Sequence, residues 1–121
     1  MVMPWPPTVN GYWRHPTKGK LAGKSLISEE GRNYRSQVGL LALRVRGAVY
    51  GHIRVEFEAY PPDRRARDLD NLFKSALDSL QDSRLIENDS LIDDLRIIRR
   101  GIIRGGELHV KISQMLDSMA C

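Results

Sequence analysis

Apolar residues recur along this chain in two different periods, and elements are expected to end where the period changes. His52 to Tyr60 alternates strictly, with Ile53, Val55, Phe57 and Ala59 on one side and charged or polar groups on the other. A period of two predicts a half-buried strand. Pro61 and Pro62 close it, because proline cannot donate to a sheet ladder. On either side the period lengthens. Tyr34, Val38, Leu41 and Val45 recur at spacings of four, three and four, one stripe of an amphipathic helix. Ser28 reads as its N-cap, with Glu29 and Glu30 favourably placed in the first turn. A second helical stripe, Leu69, Leu72, Phe73, Ala76 and Leu80, runs through residues 68–82 and should fail near Gln81–Arg84.

Past that point Leu85–Ile86 leads into Glu87–Asn88–Asp89, read as a loop. Leu91 to Arg100 and Glu107 to Ser113 read as strands, and Gly105–Gly106 between them predicts a hairpin, widened or bulged by Gly101. The tail from Met115 is expected to fray. At the other end, Pro4, Pro6, Pro7 and Pro16 forbid a continuous helix, so residues 1–24 read as an irregular arm. The order is extended arm, helix, strand, helix, two strands. It predicts a small single α/β (α+β) domain over residues 1–121, with a mixed or antiparallel sheet packed against two main helices.

Composition narrows the class. The 121 residues suit one domain, and 41% apolar content suffices for a packed core. No apolar run approaches the ~20 residues that span a bilayer, and the start has no signal-peptide pattern, so no membrane partner and a cytoplasmic location are expected. Cys121 is the single cysteine and excludes an intrachain disulfide, as in a reducing compartment. His15, His52 and His109 are too scattered for a site of the usual Cys and His zinc ligands.

Charge is segregated. Residues 1–50 carry eight Lys/Arg against Glu29 and Glu30, whereas residues 51–121 carry eleven against thirteen Asp/Glu. A basic front half with later acidic clusters suits a polyanion binder that holds a divalent cation. In the arm, Trp5, Tyr12 and Trp13 are interleaved with Arg14, Lys18, Lys20 and Lys24. Aromatics among cations can stack on bases while the cations meet phosphate. Trp5, locked between prolines, reads better as a cap on the core; for Tyr12–Arg14 both readings stand. Arg32, Arg35, Arg44 and Arg46 lie off the first helix's apolar stripe, as a solvated face or a DNA contact.

The densest chemistry runs from Pro61 to Asp89. Arg64, Arg65 and Arg67 abut Asp68 and Asp70, with Lys74 four residues beyond Asp70 and Asp89 in the following loop. Aspartates two apart do not share a helix face. They can cooperate only if Asp68 lies at or before the helix start and Asp70 in its first turn. Three hard oxygen ligands at Asp68, Asp70 and Asp89 would suit Mg²⁺. Lys74 would face a phosphate or leaving oxygen, and the arginines would hold neighbouring phosphates. Each residue also has a purely structural reading: Asp68 as N-cap, Asp70 as dipole complement, Asp70–Lys74 as an i,i+4 ion pair.

The sequence resembles the RusA family of Holliday junction resolvases, often carried by prophages. The resemblance rests on Pro4-Trp5-Pro6-Pro7 with Asn10, on Ser28-x-Glu30-Gly31-x-x-Tyr34-Arg35, on Pro62-Asp63-Arg64-Arg65-x-Arg67-Asp68-Leu69-Asp70-Asn71-Leu72-x-Lys74, and on Asp89 and Gly105-Gly106. It implies a homodimeric endodeoxyribonuclease that binds four-way junction DNA and makes paired nicks with Mg²⁺, or with Mn²⁺ in its place. By position Asp68, Asp70 and Asp89 are the metal-binding carboxylates and Lys74 the catalytic lysine. Asp94 falls at a family-like position, beside Asp93. Arg64, Arg65, Arg67, Arg14, Lys18 and Lys20 are the expected DNA contacts. Only Met1–Met3 precede the proline motif, so the first strand should be short. The alternatives are a non-catalytic basic DNA-binding protein of phage origin and a general or flap-type nuclease. Apolar faces of the sheet or of the first helix are the expected dimer interface.

Overall fold

The computed structural model describes residues 1–45 and 50–115, so Arg46, the tail from residue 116 and Cys121 lie outside the described residues. The elements are β1 (Val2–Pro4), α1 (Val9–Tyr12), β2 (Trp13–Arg14), β3 (Leu26–Ile27), α2 (Glu29–Ala42), β4 (Ile53–Tyr60), α3 (Asp70–Asp82), β5 (Ile92–Arg99) and β6 (Glu107–Gln114). The main sheet has the order β1-β6-β4-β5, with β2 and β3 forming a separate small ribbon. An α+β domain with a mixed sheet and two main helices is therefore what the chain builds.

Strand β4 is the axis. Its alternation places Ile53, Val55, Phe57 and Ala59 in the core, each at most 1% exposed. Helices α2 and α3 cover that face, contributing Tyr34 and Val38, and Leu72, Ala76 and Leu80. A side chain such as Phe57, fully withdrawn from water, contributes roughly 1.5–3 kcal/mol. Ser28 caps α2 by accepting from the Gly31 N–H, and Gly31 is required there, because a Cβ would lie 2.5 Å from the Tyr12 carbonyl.

The expected hairpin does not form. β5 runs parallel to β4, and β6 pairs antiparallel with β4 on its other side. The connecting loop crosses the end of β4, with Arg100 donating to the Ala59 carbonyl and Ile103 to that of Pro61. Gly105–Gly106 does turn the chain, but into a strand that pairs elsewhere. Gly106 has a φ of +74°, and a Cβ on it would meet Trp5 at 2.8 Å.

Two other expectations shift. Helix α2 ends at Ala42, so Val45 lies beyond it and is exposed, as is Leu43. The arm is more ordered than its prolines suggest. Val2 and Met3 pair with His109 and Leu108 of β6, and Pro4 closes this edge strand where its missing N–H costs nothing. Tyr34 donates to the Pro4 carbonyl (2.8 Å), pinning α2 to β1.

Candidate active site

Asp70 opens α3, with Asp68 two residues ahead of it, as the spacing requires. Leu69 occupies the capping position without a side-chain cap, and the Asn71 N–H reaches the Asp68 carbonyl instead. The Asp68 carboxylate is thus not spent on capping. Asp70, Lys74, Asp78 and Gln81 follow at helical spacing along one face of α3. With Trp13 and Asp89 they line a depression of about 570 Å³.

Asp89 returns to this face because α3 stops abruptly. Arg84 adopts a left-handed φ of 64°. Its N–H bonds to the Gln81 carbonyl and that of Leu85 to the Leu80 carbonyl, a Schellman closure. Leu85 and Ile86 then drop into the core, and Glu87 to Asp89 run back beside the helix. The Asp89 N–H donates to Gln81 Oε1 (3.0 Å), while Asn88 caps the short turn Asp89–Leu91.

Charge pairing distinguishes these residues from their neighbours. Asp63 binds Arg65 and Arg67; Asp78 and Asp82 bind Arg35; Asp94 binds Arg54 and Arg96. Glu56, Glu58, Asp93 and Glu107 each face an Arg or His, and Glu87 accepts from the Gly51 N–H. Among the described residues outside the first turn of α2, only Asp68, Asp70 and Asp89 have carboxylates with no ion pair or hydrogen bond. Lys74 is likewise without a partner, so no Asp70–Lys74 pair forms. All four residues are exposed.

The three carboxylates do not form one ready cluster: among the described residues no group of three acidic, His or Cys side chains is gathered at metal-binding distance. Asp70 and Asp89 share the depression, whereas Asp68 lines the adjoining cavity with Arg64, Arg65, Arg67 and Arg99. The donor set nevertheless fits a hard cation in its chemistry. It consists of uncommitted oxygens, and the three histidines lie elsewhere, beside Ser25, Asp93 and Glu107. Asp93 and Asp94 are held on β5 by His52 and by Arg54 and Arg96, and neither lines the depression. Arg96 is the main cause of the lowered Asp94 pKa, with Arg54 adding to it.

The basic residues divide similarly. Arg67 is anchored by Asp63 (2.7 Å), its guanidinium 5.9 Å from the Trp5 ring centroid. That pairing, with the Arg65 N–H, holds the Asp63 carboxyl well below the usual range. Arg64, Arg14, Lys18 and Lys20 are exposed, with no charged partner among the described residues.

Tyr12 is not a surface stacker. It is wholly buried, and its hydroxyl meets Asp78 and Arg35. Burial, then the bond to Asp78, pushes that hydroxyl up to about 12. Trp13 packs edge-on against it, rings 5.1 Å apart, with its indole nitrogen buried and unpaired. Trp5 packs against the core, as its prolines suggested.

The family described as Endodeoxyribonuclease RusA matches residues 4–113 of the chain. This chain belongs to the RusA family. It is 35% identical over 116 residues to the crossover junction endodeoxyribonuclease rusA of Enterobacteria phage HK97, covering 94% of this chain and 92% of that protein. It is 32% identical over 120 residues to the proteins of the same name from phage 82 and Escherichia coli K12, covering 95% of this chain and 93% of each. Within this RusA-family chain, Gln81 and Asp78 line the depression without having been named from the sequence, whereas Trp13 and Arg35 were read there only as DNA-contact candidates. Gln81 and Asp78 lie on the same helical stripe as Asp70 and Lys74, a signal present in the spacing. Trp13 and Arg35 come from distant segments, and their local signals, an aromatic among cations and an arginine off the α2 apolar stripe, say nothing of the contact with α3.

Proposed function

We propose that this protein is a Holliday junction resolvase, a Mg²⁺-dependent endodeoxyribonuclease that binds four-way DNA junctions as a homodimer and makes paired symmetric nicks. The observation that carries it is the set of uncommitted charges along α3, in a chain of the RusA family: Asp68 and Asp70 at its start, Lys74 one turn in, and Asp89 in the returning segment beside Gln81. A non-catalytic DNA-binding protein would gain nothing from three open carboxylates beside its arginines, since they repel phosphate. Asp68, Asp70 and Asp89 would hold Mg²⁺, or Mn²⁺ in its place. When bound, the ion supplies Lewis acidity at a phosphate oxygen and a nucleophilic water at neutral pH. Lys74 presents a positive charge over the same depression, where it offsets charge growing on the leaving oxygen. Arg64, Arg65 and Arg67 hold phosphates beside the cut, and Arg14, Lys18 and Lys20 hold those further along the strand.

A two-fold dimer supports paired cuts, because it sets two equivalent sites on two strands. Exposed Leu40 and Leu43 at the end of α2, and Val2, Leu95 and Ile98 on the sheet, offer apolar surface for it. No helix among the described residues is long and apolar enough to cross a membrane, in keeping with work on DNA in the cytoplasm. The test is nicking of a synthetic four-way junction with Mg²⁺, with Mn²⁺ and in EDTA, beside flap and linear duplex substrates. Symmetric nicks confined to the junction and abolished by EDTA are expected. Equal cutting of flaps or duplex, or cutting in EDTA, would overturn the proposal.

A further inference from the structure

The cavity beside Asp68 has a composition that phosphate binding alone does not explain. It encloses about 410 Å³, within the range of small-molecule sites. Its inner surface is apolar: Ala59 and Leu72 are buried core residues, and Trp5, Leu69 and Ile102 continue that surface outward. Its rim is cationic, with Arg64, Arg65, Arg67, Arg99 and Arg100 against Asp63 and Asp68. The rim is built rather than floating. Arg67 is fixed by Asp63 and lies over Trp5, Arg99 donates to the Arg67 carbonyl, and Arg100 pairs with Glu58. Arg64 faces solvent with no charged partner among the described residues.

A bare phosphate has no use for a Trp, Leu and Ile surface, and an apolar ligand has no use for five guanidiniums. One chemistry satisfies both: a flat, weakly polar ring carried between two phosphates. We propose that this cavity receives one unstacked nucleotide of the substrate strand next to the scissile phosphate. The base lies against the Trp5, Leu69 and Ile102 surface, and its flanking phosphates lie on Arg64 and Arg65. Asp68, which lines the cavity while Asp70 and Asp89 line the neighbouring depression, marks the boundary between base pocket and cutting site. The pocket takes a base only from a strand that can unstack, a cost lowest where pairing is already interrupted. Junction selectivity then arises partly here. The proposal rests on the DNA-cleaving reading for its substrate, but its binding step is measurable without cleavage.

The chain has two tryptophans, and each reports on one hollow: Trp5 on this cavity, Trp13 on the Asp70–Asp89 depression. In EDTA, ¹⁵N-labelled full-length protein is titrated with single-stranded tetranucleotides and, separately, with inorganic phosphate. The tetranucleotides should shift the Trp5 indole signal, and phosphate should not. Ile102, about half exposed at 49%, is replaced to close the pocket by charge (Ile102→Asp) or by bulk (Ile102→Trp). Both variants should abolish the Trp5 shift and cut junction cleavage roughly tenfold, the loss typical of one stacking contact. An abasic residue at one nucleotide flanking the cut should slow wild type by a similar factor and leave Ile102→Trp unchanged. A Trp5 signal that stays still under tetranucleotide, or moves equally with phosphate, would overturn the pocket even if junction nicking is normal. A Trp5 shift in a protein that nicks no junction would uphold the pocket and overturn the resolvase reading.

Discussion

Helix α3 carries two sets of charged groups one turn apart, and they have opposite fates. Asp78 is taken up completely. Arg35 meets it through two nitrogens, at 2.7 and 3.0 Å, and the buried Tyr12 hydroxyl closes the set. Lys74 and Asp70, one and two turns earlier on the same stripe, have no ion-pair or hydrogen-bond partner among the described residues. The two sets differ in what packs above them rather than in residue type. Where α1 and α2 press on α3, charge is neutralised and becomes part of the fold. Where they do not, it stays available to a substrate. Pairing has a second effect: Asp78 stands four residues after Lys74, the spacing of a helical ion pair, and Arg35 keeps it from taking the lysine.

The sharpest way to break this contrast is Asp70→Asn. Removing an unpaired, exposed carboxylate should leave the melting temperature within a degree or two and junction binding intact, yet lower cleavage by a factor of roughly 10³ or more. A large loss of stability would mean that Asp70 belongs with Asp78 among the structural charges. Lys74→Gln should cost about 10²-fold in single-turnover cleavage, again without a stability change, because it removes charge stabilisation and no packing. Asp78→Asn reverses the signature. Leaving Arg35 and the Tyr12 hydroxyl without their acceptor should destabilise the protein by roughly 1–3 kcal/mol in denaturant unfolding. Cleavage per folded molecule should fall by only a few-fold.

Arg35→Gln probes the link between the sets. With its clamp gone, Asp78 can reach Lys74, so cleavage should fall roughly tenfold. Adding Asp78→Asn should restore part of that loss, although the double variant is no more stable. The smallest effect is on pH. The Tyr12 hydroxyl is raised in the fold from the usual 10.0 to about 12. A raised folded value contributes stability that is complete below pH 10 and lost as pH climbs through about 12. Unfolding free energy should therefore be flat with respect to this group to pH 10 and decline above it, and Tyr12→Phe should soften the decline.

How far these features were legible follows from how local they are. The β4 alternation, the Ser28 cap and the start of α3 depend on neighbours within a few residues, and all three matched the fold. The supposed hairpin failed because Gly105–Gly106 reports only that the chain turns. Which strand β6 then pairs with depends on β4, nearly fifty residues earlier, whose two edges both stood open. Tyr12 was ambiguous for the same reason. An aromatic among cations could face solvent or core, and the groups that decided it, Arg35 and Asp78, lie in α2 and α3. The candidate site shows both cases together. Asp70 and Lys74 were placed by helical spacing, whereas Asp68 and Asp89 fell into separate hollows through the Arg99–Arg67 contact and the turn at Arg84.

The parallel pairing of β4 with β5 carries a consequence in time. Between those strands lie the arginines, Asp68, Asp70, Lys74 and Asp89, so every proposed reacting group belongs to one crossover excursion. Such a loop closes only when two strands far apart in sequence meet, an entropically expensive and therefore slow step. A nascent chain that has formed α2 and β4 already displays the basic arm but lacks the β5 that closes the excursion carrying α3 and Asp89 onto the sheet. Affinity for DNA should thus precede competence to cut it during folding.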